Sequence, residues 1–138
     1  MTDEEARHLV VRRLMSRADH ALAAAQRDFD AGDFNLVINR VYYACFYAAS
    51  AVLMQQGMRL SRHSAIRSAV HRHLVKEGKL SVALGQFYDD AFENRQEADY
   101  DAVAEFDREG AQSAMVTGGQ FVAVMRRLVE GGGSPAED

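Results

Sequence analysis

The chain carries one proline, Pro135, near its C-terminal end. Proline removes a hydrogen bond and clashes with the preceding turn inside a helix, so its absence leaves the rest of the chain free to be helical. An all-β sandwich would need many more turn residues, so a helical bundle is expected. The length of 138 residues fits one domain, large enough to bury a core. The mixture of 48% apolar and 26% charged residues is that of a globular chain. The lone cysteine, Cys45, excludes an intramolecular disulfide and an all-cysteine zinc site.

Periodicity and caps divide the chain into five helices. Thr2 and Glu5 have capping-box spacing, and Leu9, Leu14, Ala18, Ala25 and Phe29 come after them at helical intervals. This first helix should stop near Gly32, with Asp33 as the next N-cap. The second, Phe34 to about Gln56, is apolar around most of its circumference and should lie at the centre, contacted from several sides. Ser61 can cap a third helix closed by Gly78, and Ser81 a fourth, which weakens around Glu97 to Asp101. There Asp99 or Asp101 can cap the next segment of the chain. Asp107 can cap the fifth. Gly118 and Gly119 lower helix propensity in its middle, and a small residue there can admit a neighbouring helix. The reading is an all-α, antiparallel bundle over residues 1–130, with a disordered tail at 131–138. The uncharged run from Val41 to Gly57 approaches a membrane span in length, but Ser50, Gln55 and Gln56 interrupt it. A buried helix is expected, with no membrane partner. The N-terminus MTDEEARHLV has no apolar leader segment, so a cytoplasmic protein is expected.

The net charge of −4 alone suggests no nucleic-acid partner, but it is a difference between two segments. Residues 59–79 hold Arg59, Arg62, Arg67, Arg72, Lys76 and Lys79 against one acid, Glu77, while 89–109 hold nine acids against Arg95 and Arg108. The basic helix 62–76 is either a solvated face paired with the acidic segment or a phosphate-contacting surface. Within it, His71 and His73 are two apart, on opposite sides of a helix, so no metal site is expected. No cofactor motif is present either: Gly131 to Gly133 is a tail rather than a phosphate loop. Cys45 has no basic neighbour to activate it and reads as a structural thiol. The cluster Tyr42, Tyr43, Phe46 and Tyr47 reads as core, with base stacking as the alternative. In the core its hydroxyls would need partners such as Asn39 or Arg40.

The stretch Glu93-Asn94-Arg95-Gln96-Glu97-Ala98-Asp99-Tyr100 is the most informative. Arg95 and Asp99, four apart, can pair on one face. Arg95 and Tyr100 converge only if the chain leaves the helix near Ala98. Either the pair ties down a helix end, or Arg95 meets a phosphate in a polar cleft.

Three segments resemble the HEPN domain, specifically the small stand-alone prokaryotic kind. They are Gly32-Asp33-Phe34 followed by Asn39-Arg40-Val41-Tyr42-Tyr43-Ala44-Cys45-Phe46-Tyr47-Ala48-Ala49, then Arg62-His63-Ser64, then Asn94-Arg95 through Ala98-Asp99-Tyr100. Gly118 to Val122 also fits, with glycine where alanine is usual, and the likeness spans roughly residues 5–130. It implies a bundle of four to five helices forming a symmetric dimer, with the arginine motifs of both protomers lining one cleft. It also implies RNA or nucleotide binding, and a nucleotidyltransferase partner of which the HEPN protein is the toxin. Carried over, Arg95 would hold phosphate, Asp99 would orient it and Tyr100 would donate a hydrogen bond or stack. Asn94, Arg62 and Arg67 would add contacts.

Catalytic members are metal-independent ribonucleases with arginine, a spacer of four to six residues, then histidine. Here that histidine position is Tyr100, and no histidine occurs after His73. Imidazole titrates near neutral pH, whereas a phenol with a pKa around 10 is a poor base. The tyrosine that some toxins carry two residues further on, where the partner attaches nucleotides, is here Ala102. Three readings therefore stand: an RNA- or nucleotide-binding dimer; a ribonuclease in which Tyr100, or His63 from elsewhere, replaces the histidine; and a non-catalytic module whose basic helix docks an acidic partner.

Overall fold

The computed structural model describes residues 1–131. From 132 onward, the segment read as a tail lies outside the described residues. Among the described residues five α-helices occur in order: α1 Asp3–Asp30, α2 Phe34–Gln55, α3 His63–Ala69, α4 Val82–Tyr100 and α5 Arg108–Glu130. Between α3 and α4 the helix widens into a π-helical turn, Val70–Val75. The expected single third helix is thus two registers. Lys76 N–H reaches back five residues to the His71 carbonyl at 2.9 Å, the π pattern.

Several ends follow the expected chemistry. Thr2 and Glu5 form a complete capping box, with Glu5 N donating to Thr2 Oγ1 and Thr2 N to Glu5 Oε1. Ser81 accepts from Leu84 N, and Asp107 from Gly110 N. Gly32 stops α1 with φ +81. This left-handed geometry lets Asp33 N–H reach the Asp28 carbonyl at 2.8 Å. Two caps differ from expectation. Asp33 occupies its cap position without a side-chain bond. The third helix begins after Arg62 rather than Ser61, again with no side-chain cap. The fourth helix does not weaken at Glu97 but runs to Tyr100. Asp101 then ends it in extended backbone and accepts from Val103 N–H two residues on.

α2 is the axis of the bundle. It buries Val37, Ile38, Val41, Tyr42, Cys45, Ala49, Val52 and Leu53 and packs against α1, α3, α4 and α5. Its length and hydropathy would suffice for a membrane span, but most of the apolar window is buried in the protein. α1 folds back along it through a three-residue turn. α5 runs parallel to α2: Asn35 binds Ala104 O and Phe106 N just before α5 starts, while Gln55 donates to Val129 O near its end. α4 runs antiparallel, its late residue Asp99 meeting the early α2 residue Asn39.

α5 comes close to α2 at Gly118. A Cβ there would stand 2.5 Å from Val41 Cγ1, whereas one on Gly119 would meet nothing within 4 Å. Val41 is fully buried, and β-branched side chains in helices have almost no rotamer freedom with which to yield. Gly118→Ala should therefore lower stability by about 1–3 kcal/mol through overpacking, despite the better helix propensity of alanine. Gly119→Ala should raise it by up to about 1 kcal/mol. Urea denaturation of the two variants beside the wild type checks this contrast.

Candidate functional site

Where α4 crosses the early part of α2, a charged side chain is buried among aromatic rings. Arg95 is only 7% exposed. Its Cζ lies 5.1 Å from the centre of the Tyr42 ring, 5.6 Å from Tyr43 and 5.8 Å from Phe92. Tyr42 and Tyr43 come from α2, Phe92 from one turn earlier in α4. Aromatic faces attract a guanidinium, more strongly when water is excluded. Asp99 Oδ2 stands 3.7 Å from Arg95 Nη1, an ion pair too long for a hydrogen bond. The Asp99 carboxylate is held instead by Asn39 Nδ2, at 3.0 and 3.2 Å from its two oxygens. Arg95 Nε is buried with no hydrogen-bond partner among the described residues.

His63, the first residue of α3, closes the other side of the aromatic cluster. Its ring stacks on Phe46 at 4.3 Å and lies 5.6 Å from Tyr42 and 5.8 Å from Tyr43. Arg95 and His63 thus share Tyr42 and Tyr43 as neighbours. His63 Nδ1 is 2.6 Å from the Tyr42 hydroxyl. Burial pushes the Tyr42 phenol up to about 12, so it keeps its proton and has one to donate. Burial first, and the Arg95 charge second, hold His63 below its ordinary value. A neutral ring accepting at Nδ1 carries its own hydrogen on Nε2 and is there a donor. The neighbouring Tyr88 hydroxyl is buried with no hydrogen-bond partner among the described residues, and burial raises its pKa as well.

The structure brings Arg95, Asp99 and Asn39 together but not Arg95 and Tyr100. Because α4 stays helical, Tyr100 projects elsewhere and is 77% exposed. Five residues correspond to about 140° around a helix, so within one chain the two do not converge. Asn94 is partly buried on α4, and Arg62 is exposed just before α3. Arg67 lies over the face of Phe92 at 5.0 Å, its Nε donating to Asp89 Oδ1 at 2.8 Å. The tyrosine partners also differ from expectation. Asn39 is taken by Asp99 and Arg40 by Asp28, and His63 serves the Tyr42 hydroxyl. That pairing was invisible in the sequence because α3 is placed by tertiary packing. Cys45 is fully buried, 3.8 Å from the Gly118 carbonyl, and burial pushes its thiol up. Among the described residues no group of three or more His, Cys, Asp or Glu could hold a metal.

A sequence profile of the HEPN domain matches residues 11–128. The chain belongs to the HEPN domain family. It is 38% identical over 93 residues to a UPF0332 protein of Thermotoga maritima, covering 67% of this chain and 70% of that one. It is 27% identical over 110 residues to a Methanocaldococcus jannaschii protein named "Putative toxin MJ0142", covering 80% and 75%. A UPF0332 protein of Gloeobacter violaceus is 34% identical over 87 residues, covering 63% and 69%.

The field at His63 is testable. Arg95→Met keeps the bulk and removes the charge, so the His63 pKa should move up toward the ordinary histidine value. NMR titration of the imidazole resonances reads this directly. The sign for stability comes from linkage. The unfolded chain binds this proton more readily than the folded one, so His63 stabilises fully above the ordinary value of about 6.5. That contribution is lost as pH falls through the lower folded value. Wild type should lose more stability than His63→Phe over that acid range in denaturation series at stepped pH.

Proposed function

We propose that this HEPN-family protein is toxin-like, acts as a symmetric dimer, and holds RNA or nucleotide phosphate on Arg95. In this reading it works in the cytoplasm beside a nucleotidyltransferase partner. The observation that carries the reading is the state of the guanidinium. Arg95 is buried, rests on three aromatic rings, and its Nε has no acceptor among the described residues. Buried donors are almost always paired, and a buried charge lacking full compensation is costly to keep. A guanidinium with unspent donors suits a phosphate, whose oxygens match its fork. The Asp99 carboxylate, fixed by Asn39, stands at 3.7 Å and orients Arg95 without occupying it.

Two relatives from Methanocaldococcus jannaschii are named as putative toxins, which supports the toxin-like part. The dimer is supported by the surroundings of the site. Tyr100 and Val103 are 77% and 86% exposed, and Leu36 is 43% exposed one turn before Asn39. Leu36 shares α2 with Asn39, and Tyr100 and Val103 follow Asp99 closely in the chain, so these exposed apolar side chains suit a second copy docking on this side.

A ribonuclease is the second reading, and the observation favouring it is His63 rather than Tyr100. His63 shares the Arg95 cluster and stays neutral near pH 7 because its pKa is lowered. In the tautomer that accepts from Tyr42 its Nε2–H would donate a hydrogen bond to the reacting phosphate rather than act as a base.

Titration of wild type and Arg95→Ala with labelled single-stranded RNA and with free nucleotides separates the readings. Binding should weaken with salt and fall about tenfold or more in Arg95→Ala, as charge-assisted bonds are lost. RNA cleavage that disappears in His63→Gln would install the second reading. No binding of either ligand would leave the interaction module. Light scattering during gel filtration tests the dimer: wild type should be a dimer and the double variant Tyr100→Glu, Val103→Glu a monomer.

A further inference from the structure

On the other side of Phe92 from the helix α2 cluster, α3, the π-helical turn and α4 enclose an open groove of about 770 Å³. Arg67, Arg72 and Lys76 line it, with His71 and a single carboxylate, Asp89. That carboxylate is engaged twice, accepting from Arg67 Nε at 2.8 Å and lying 2.9 Å from His71 Nε2. Its pKa is lowered despite its burial, through these two partners. Asp89 therefore acts as a brace. It fixes the Arg67 stem against α4 through Nε and leaves the η nitrogens for other acceptors. Arg72 and Lys76 are exposed and make no ion pair among the described residues. Three cations to one bound carboxylate leave the groove positive in a chain whose net charge is −4.

The groove also joins the Arg95 site. Arg67 Cζ lies 5.0 Å and Arg95 Cζ 5.8 Å from the centre of the same Phe92 ring, so one side chain neighbours both cationic places. From Arg95 the positive groups continue through Arg67 to Arg72 and Lys76. The last three extend roughly 13 Å along the helix at ordinary rise. Such a line of cations fits a ligand with phosphates repeated along a strand. An acidic protein surface would match the charge but has no reason to continue into the buried Arg95.

We propose that the groove between α3, its π-helical extension and α4 is a track for the phosphate backbone of single-stranded RNA leading to Arg95. The link to Arg95 rests on the phosphate reading of that residue; the groove itself does not. The π-helical turn carries part of the track, because His71 and Arg72 lie within it and Lys76 comes directly after it.

The test uses the full chain and two probes, uridine monophosphate and a labelled oligouridylate of about a dozen nucleotides. Arg72→Glu combined with Lys76→Glu touches only exposed side chains and should fold normally, which circular dichroism verifies. In this variant the oligouridylate should bind tenfold or more weakly, and its log–log salt slope should fall by about two. Binding of the mononucleotide should stay as in wild type. Arg95→Ala should weaken both probes. Unchanged oligouridylate affinity and salt slope in the charge-reversed variant would overturn the track. Should the mononucleotide fail to bind and Arg95→Ala leave the oligomer unaffected while the charge reversal weakens it, the Arg95 link falls and the track stands. Polyglutamate that displaces the oligomer as well as unlabelled RNA does would overturn the assignment to RNA and identify an acidic protein surface as the occupant.

Discussion

A helix without a polar face has to be surrounded, and α2 sets that requirement for the whole chain. From Val37 to Leu53 it presents buried side chains in most directions, so no single neighbour can cover it. α1 lies along one side, α5 enters through the notch at Gly118, and α4 with α3 closes the remainder. Burial at roughly 25 cal/mol per Å² of apolar surface makes covering such a helix the main gain on folding. The site arises from the same demand. Tyr42 and Tyr43 belong to the face that meets α3 and α4, and their size prevents a dry aliphatic seam there. The gap is filled by rings against Tyr42, with Phe46 and His63 stacked, Tyr88 tilted and Phe92 edge-on. In that setting the faces of the rings are the available partners for a cation.

The Arg95 arrangement exchanges solvation for polarisable surface. A guanidinium is more weakly hydrated than an ammonium and stacks on aromatic planes, which is why arginine can occupy this place and lysine would fit it poorly. The Asp99 carboxylate stands beyond hydrogen-bond distance and is itself restrained by Asn39. The charge is therefore balanced at a distance while the donor atoms are left available. Such a site gives up some stability, as functional sites commonly do. The Tyr88 hydroxyl, also without a hydrogen-bond partner among the described residues, lies in the same cluster, so the incomplete polar pairing seen there is concentrated where α2, α3 and α4 meet.

Much of the fold was legible because its signals are local. The Thr2–Glu5 box, the Ser81 and Asp107 caps, the stop at Gly32 and the apolar circumference of α2 each depend on neighbours within a few positions. The Arg95–Asp99 face was legible for the same reason, being one helical turn. The rest was not, because it is made by residues distant in sequence. His63 reaches Tyr42 across a loop, and Asn39 reaches Asp99 across two helices. Tyr100 shows the converse. Its convergence with Arg95 required the chain to leave the helix near Ala98, but the acids from Glu97 onward do not break the helix, and regular geometry turns it outward. The widening at Val70–Val75 has no composition signature either, since valine, histidine and leucine occur in any helix.

The acidic half of the chain explains how a net negative protein can keep a positive face. Several of its carboxylates are committed to local structure rather than to a surface field. Asp89 holds Arg67 and His71, Asp99 is bound by Asn39 near Arg95, Asp101 turns the chain at Val103, and Asp107 caps α5. Asp89, paired with a guanidinium, projects little net negative potential beyond its partner, while the acids held by neutral N–H donors keep their charge but are fixed in place, and at physiological salt fields between exposed charges decay within about 8 Å. Arg72 and Lys76 have no such partner among the described residues. What an approaching polyanion meets first is the local excess at those side chains. The sign of the net charge thus does not set the sign of each face, and the way each acid is engaged is a better guide to it.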